Sequence, residues 1–186
     1  MKRIAVLVLL VIFLAGCGGQ ESLMDRAAAF RQTLLTAQGC SFDTRITADF
    51  GDKTYTFAMA CTADQQGNLS FTVSEPETIA GITGMVSAVG GKLTFDDTAL
   101  AFALLADGEI SPVSSPWLLI KTLRSGYLSA CGMDGELIRL TIDDSYEADA
   151  MQVNVWMDGN DLPVRGEILW QGRRMITLSV ENFRYL

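Results

Sequence analysis

Apolar residues recur along this chain with two different periods. Leu23, Ala27, Phe30 and Leu34 are spaced by four and three, which predicts a helix with one apolar stripe. Ser22 and Asp25 read as a capping box at its start, and Gly39 stands where a glycine ends a helix. The period then changes to two. Phe42, Ile46, Ala48 and Phe50 alternate with polar residues, and after Gly51-Asp52 so do Tyr55, Phe57, Met59 and Cys61. This is a hairpin with one buried face. A four-residue turn, Asp49 to Asp52, would pair Ala48 with Lys53 and Cys40 with Cys61; a two-residue turn would make the cysteines diagonal neighbours on that face. Leu69, Phe71 and Val73 give a third strand, ended by Pro76. Residues 79–105 carry more strand-like text, with Gly90-Gly91 as a hairpin-turn signal. Ser115-Pro116 reads as an N-cap and first helical position for a short helix from Trp117 to Arg124, ended near Gly126.

The last third alternates again. Met151, Val153, Val155 and Met157, then Val164, Ile168 and Trp170, then Ile176, Leu178 and Val180 form a three-stranded meander over 151–182. A three-residue turn at 171–173 pairs Ile168 with Ile176, and a four-residue turn at 159–162 pairs Met157 with Val164 and Val153 with Ile168. About ten or eleven antiparallel strands in one sheet would curl. The expected architecture is therefore mainly β (α+β): a strongly curved antiparallel half-barrel with the helices on its concave side.

The start of the chain follows neither period. Met1-Lys2-Arg3 precedes eleven apolar residues, Ile4 to Leu14. That is shorter than the roughly 20 residues needed to cross a bilayer, so it reads as the apolar core of a secretion signal. Leu14-Ala15-Gly16-Cys17 resembles the lipobox of bacterial lipoproteins. That resemblance implies removal of residues 1–16, a diacylglyceryl group on Cys17, and an anchored position on the extracytoplasmic face of the cell membrane. Two acyl chains hold a protein stably on a bilayer. Residues 17–21 would be the lipidated cysteine and tether, and 22–186 a single domain with a sizeable core. An extracytoplasmic location permits the predicted Cys40–Cys61 disulfide, with Cys131 left as a buried free thiol.

Charge and composition narrow the function. Removing Lys2 and Arg3 from the 14 basic residues leaves 12 against 22 acidic, a formal charge of −10, which argues against nucleic acid and against an anionic membrane face as electrostatic partners. The chain has no histidine, so it lacks the commonest general base and metal ligand. There is no phosphate-binding loop, nucleophile elbow or metal-spaced cysteine set. The acidic pairs Asp96-Asp97 and Asp143-Asp144 read as solvated carboxylates. Ser114, Ser115 and Ser125 have only Lys121 nearby as a possible activating base. Neither an enzyme, nor a cofactor, nor a metal is expected.

The order of lipobox, helix, meander, mid-chain helix and meander resembles the LolA/LolB superfamily of lipoprotein carriers. The segments that carry the likeness are Pro76-Glu77 with Ile79 to Ile82, Leu93-Thr94-Phe95, Val153 to Trp156, Leu162-Pro163, Glu167 and Glu181-Asn182-Phe183. Within the superfamily the chain is similar to short lipoproteins of spore-forming Gram-positive bacteria, of the GerS germination type. The carriers imply a lipid, acyl chain or lipoprotein held in an apolar concavity. Its candidate lining is Phe42, Ile46, Phe57, Met59, Phe71, Val155, Ile168 and Trp170. The GerS type implies a lipid-anchored scaffold or regulator of an envelope or spore-cortex enzyme, with a filled core. For that role the candidate contacts are Trp117, Tyr127 and Trp156, of which Trp156 lies on the polar face of its strand.

Overall fold

A computed structural model describes residues 22–95, 98–102, 105–106, 109–145 and 151–186. The expected signal, Cys17 and tether, and the pair Asp96-Asp97, lie outside the described residues. Helix α1 spans Leu23–Thr36 and buries Ala27, Phe30 and Leu34. Its capping box forms as expected: Asp25 N–H donates to Ser22 Oγ, and Ser22 N–H donates to Asp25 Oδ2. The helix ends earlier than its glycine. Ala37 is already extended, and Gly39 opens strand β1 (Gly39–Asp49). A Cβ on Gly39 would stand 2.3 Å from the Ala63 carbonyl oxygen, so close strand packing, not helix termination, requires this glycine.

The other strands are β2 (Thr54–Asp64), β3 (Leu69–Glu75), β4 (Thr83–Ser87), β5 (Gly90–Phe95), β6 (Thr98–Phe102), β7 (Leu105–Ala106), β8 (Glu109–Ile110), β9 (Tyr127–Asp134), β10 (Leu137–Asp143), β11 (Gln152–Met157), β12 (Pro163–Trp170) and β13 (Arg173–Tyr185). A 3₁₀ turn at Pro112–Ser114 leads into helix α2 (Ser115–Ser125). Eleven strands form one antiparallel sheet in the order β6-β5-β4-β3-β2-β1-β13-β12-β11-β10-β9; β7 and β8 pair separately. The two meanders are thus joined through β1 and β13, and β6 and β9 are open edges. The sheet is the expected unclosed half-barrel, with helices packed on its concave face.

The structure selects one of the two registers open for the first hairpin and departs from expectation in others. β1 and β2 use the two-residue turn: Phe50 N–H donates to Lys53 O, Ala48 pairs with Tyr55, and Cys40 pairs with Ala63 while Cys61 pairs with Phe42. Cys40 and Cys61 are consequently diagonal neighbours, which lie about 7–8 Å apart, beyond the roughly 4.4–6.8 Å between Cα atoms that a disulfide spans. Both are buried free thiols, and the expected bond is not formed. Cys131 is half-buried instead of fully buried.

Gly90 and Gly91 belong to β5, not to a turn; the Phe102 ring covers Gly91 so closely that a Cβ there would meet it at 2.1 Å. Met157 pairs with Pro163, because a bulge follows Trp156, while Val153 pairs with Ile168 as expected. Ile168 also meets Ile176, but through a turn at Gln171-Gly172 and a register shift beside Met175. The cap of α2 is Ser114 rather than Ser115, whose hydroxyl donates to Pro112 O at 2.7 Å.

Candidate functional site

The concave face divides into a filled middle and an open end. α2 closes the middle. Its residues from Ser115 to Ile120, with Thr122 and Leu123, are all buried. Gly166 on β12 makes room for it: a Cβ there would stand 3.2 Å from Leu119 Cδ1. Beneath the helix Ile46, Met59, Val155 and Ile168 are essentially inaccessible. Phe42 is sealed against Phe183, with ring centroids 6.0 Å apart, near α1. Trp170 is half-buried against the same core. Five of the eight expected lining residues therefore pack a closed core, and Trp170 lies partly exposed at its margin. The alternation that identifies a concave face does not distinguish a face covered by a helix from one left open.

Phe57 and Phe71 are the two that reach free space. With Phe50, Tyr55, Val73, Ile79, Ile82, Leu93, Pro112 and Val113 they line a cavity of about 410 Å³ at the end of the sheet where β1 turns into β2. β2, β3 and β5 form its floor. The loop between β3 and β4 supplies Ile79 and Ile82, and the 3₁₀ turn before α2 supplies Pro112 and Val113. The loop folds back on itself: Ile79 N–H donates to Pro76 O, and Gly81 N–H, at a positive φ that suits glycine, donates to Val73 O. Tyr55 (48% exposed) and Ile79 (37%) stand at the mouth. The Phe50 and Tyr55 rings meet edge to face at 6.1 Å. Of the ten lining side chains only Tyr55 has a polar atom, and none is charged.

The other candidates separate in the same way. Trp117 is only 7% exposed and donates its Nε1–H to Gly67 O at 2.9 Å, so it joins α2 to the β2–β3 turn and offers no surface. Trp156 does lie on the outer face, as its position predicts, but is 5% exposed. It donates to Asp134 Oδ2 at 2.7 Å, and the guanidiniums of Arg165 and Arg139 lie 4.4 and 5.3 Å from its ring. Beside it the buried Glu167 accepts from Arg174 at 3.0 Å and from Arg165. Tyr127, on the open edge strand β9, is 52% exposed.

No serine is activated in this geometry. Lys121 Nζ is 2.5 Å from Asp144, Ser125 Oγ donates to Lys121 O, and Ser114 Oγ is buried without a hydrogen-bond partner. Burial holds Cys40 up to about 11 and pushes Cys61 higher still, so neither is a nucleophile near neutrality. Among the described residues no group of His, Cys, Asp and Glu side chains could hold a metal ion, and no helix is long and apolar enough to cross a membrane.

No family model matches the chain, and no curated protein matches it. It is similar to solved structures. One is a LolA superfamily protein from Nitrosomonas europaea, at 7% identity and a TM-score of 0.42, covering 85% of this chain and 92% of that one. A second is the lipoprotein LppX of Mycobacterium tuberculosis, at 13% identity and a TM-score of 0.44, covering 89% and 96%. A third is the structure of the CwlD amidase of Clostridioides difficile in complex with the GerS lipoprotein, at 10% identity and a TM-score of 0.44, covering 90% and 98%. The superfamily named by the sequence resemblance is thus also among the structural likenesses. At these values the likeness is one of fold outline and says nothing of ligand or partner.

Proposed function

We propose that this chain is a non-catalytic lipoprotein, anchored through Cys17 on the extracytoplasmic face of the cell membrane, that binds an acyl chain of a lipid or lipoprotein in the cavity at the β1–β2 end. The observation that carries this reading is the cavity's lining: about 410 Å³ open at its mouth and lined by ten side chains, none charged. Ligand sites commonly enclose about 300–1,000 Å³ and use a few polar groups for orientation. A wall with one hydroxyl, at the mouth, suits a hydrocarbon whose polar end stays outside. Burying ten methylenes at about 0.8 kcal/mol each would contribute roughly 8 kcal/mol before the cost of ordering the chain.

The test is titration of residues 18–186 with a fluorescent fatty acid. Saturable binding at one site per chain is expected. Leu93→Asp places a carboxylate in the wall, and its desolvation by the ligand costs roughly 3 kcal/mol, about a hundredfold in Kd. Met85→Asp, on the exposed outer face, is the control and leaves binding unchanged. Absence of saturable binding, or equal binding by both variants, counts against the reading. The filled middle of the barrel favours a second reading, an anchored scaffold for an envelope protein, with Tyr127 and the open β9 edge as its contact surface.

A further inference from the structure

The start of α1, where the expected tether would join the body, and the cavity mouth lie at opposite ends of the half-barrel. Near its start α1 is held to the β11–β12 loop, where Arg26 Nε donates to Asp161 at 2.8 Å. After its end the chain enters β1 at Gly39, beside the C-terminus, where Gln38 N–H donates to Leu186 O. The β11–β12 loop, the start of β1 and the end of β13 all belong to one end of the sheet, because β12 and β13 are antiparallel and β13 is antiparallel to β1. From there the eleven residues of β1, at about 3.3 Å each, carry the chain about 36 Å to the other end. That far end holds the mouth, with Phe50 and Tyr55 from the hairpin tip and Ile79 from the β3–β4 loop.

Resting on the proposed anchor at Cys17 and the proposed acyl site, we infer that the mouth faces away from the membrane that holds the chain, and that the site takes its acyl ligand in trans, from a membrane other than its own. To press the mouth onto its own bilayer the body would have to invert, and the tether would have to span the body's length. The five steps from Cys17 to Ser22 reach at most about 18 Å, half of the roughly 36 Å required. Nor does charge at the mouth draw it to an anionic surface. Arg45 is paired with Glu75 at 2.7 Å and Arg173 lies 4.0 Å from Asp49, while the exposed Lys53 of the hairpin tip is offset by the exposed acids Asp52 and Glu77, so the mouth carries no net positive charge.

The test uses the full lipidated chain in vesicles, with phosphatidylglycerol bearing a diazirine on one acyl chain as probe. The probe is placed in the chain's own vesicles (cis) or in a second, protein-free population (trans), and crosslinks to the peptides carrying Phe57 and Ile82 are counted by mass spectrometry. At least fivefold more labelling in trans than in cis is expected. Thirty Gly/Ser residues inserted between Gly19 and Gln20 leave the Ser22 cap intact. They lengthen the tether's root-mean-square span to about 30–35 Å, and cis labelling should then rise to the trans level. Cis labelling equal to or above trans in the unaltered chain overturns the inference and leaves acyl binding standing. High trans labelling with no cis gain from the insertion also overturns it, because tether length would not be the limit. Residues 18–186, added without an anchor to probe vesicles, separate the two readings. No labelling there overturns the acyl site itself, whereas labelling there but in neither anchored arm overturns only loading in trans.

Discussion

Gly84 links the fold to the cavity, and replacing it with alanine perturbs both. It lies on the concave face of β4, opposite Phe71 on β3. A Cβ at this position would stand 2.4 Å from Phe71 Cζ and 2.7 Å from the backbone oxygen of Lys92. The Phe71 ring can swing, although it is buried in the core and forms part of the cavity wall. The Lys92 carbonyl is held within the β4–β5 ladder and cannot move without the strand. Overpacking of this kind costs typically 1–3 kcal/mol. For a domain of this size each kcal/mol lowers Tm by about 2–4 °C, so Gly84→Ala should melt roughly 2–12 °C earlier. Phe71→Leu in the same chain removes the ring contact but not the carbonyl contact. It should recover part of the loss, with a coupling of about 0.5–2 kcal/mol in a double-mutant cycle followed by urea unfolding. Because the ring must leave its seat, the single variant should also bind a fatty acid more weakly. Gly84→Ala as stable as the parent, or additive with Phe71→Leu, would refute the close seating of the ring.

Trp156→Phe removes the indole N–H to Asp134, whose exposed carboxylate then turns to water in place of its 2.7 Å partner; urea unfolding should show a loss of about 0.5–1.5 kcal/mol. Native-state alkylation at pH 8 should modify the half-buried Cys131 first, while Cys40 and Cys61 react only at the rate of unfolding, since burial raises all three thiols and the last two most; mass spectrometry of timed samples distinguishes them. Asp25 is held below the usual carboxylate range by its hydrogen bonds from Ser22. A depressed folded value means that its contribution is present above the ordinary carboxylate pKa near 4 and is lost as pH falls below it. Asp25→Ala should therefore lower Tm at pH 6 more than at pH 2.5, as read by circular dichroism.

Period alone revealed α1 and most of the strands, because Phe30 and Leu34, or Val153 and Val155, are buried on the faces their spacing assigns. It could not determine whether a strand pairs through a bulge. The shifts beside Met175 and after Trp156 absorb one residue each, and period left both a two-residue and a four-residue first turn open, of which the two-residue one sets Cys40 diagonal to Cys61. The cavity was legible only in Phe57 and Phe71, which lie in regular strands. Ile79, Ile82, Pro112 and Val113 come from segments without a period, and nothing local assigns them to a wall. Trp156 was visible as an apolar residue on a polar face, but its cover, Arg139 and Arg165 from the flanking strands, becomes visible only once those strands are paired.

Native mass spectrometry of residues 18–186, purified without detergent and followed by organic extraction, tests acyl binding most directly. One phospholipid or fatty acid should accompany each chain and be lost from the folded Leu93→Asp variant. A stably folded chain that carries no lipid, and takes up none when a fatty acid is added, would contradict an acyl-binding cavity.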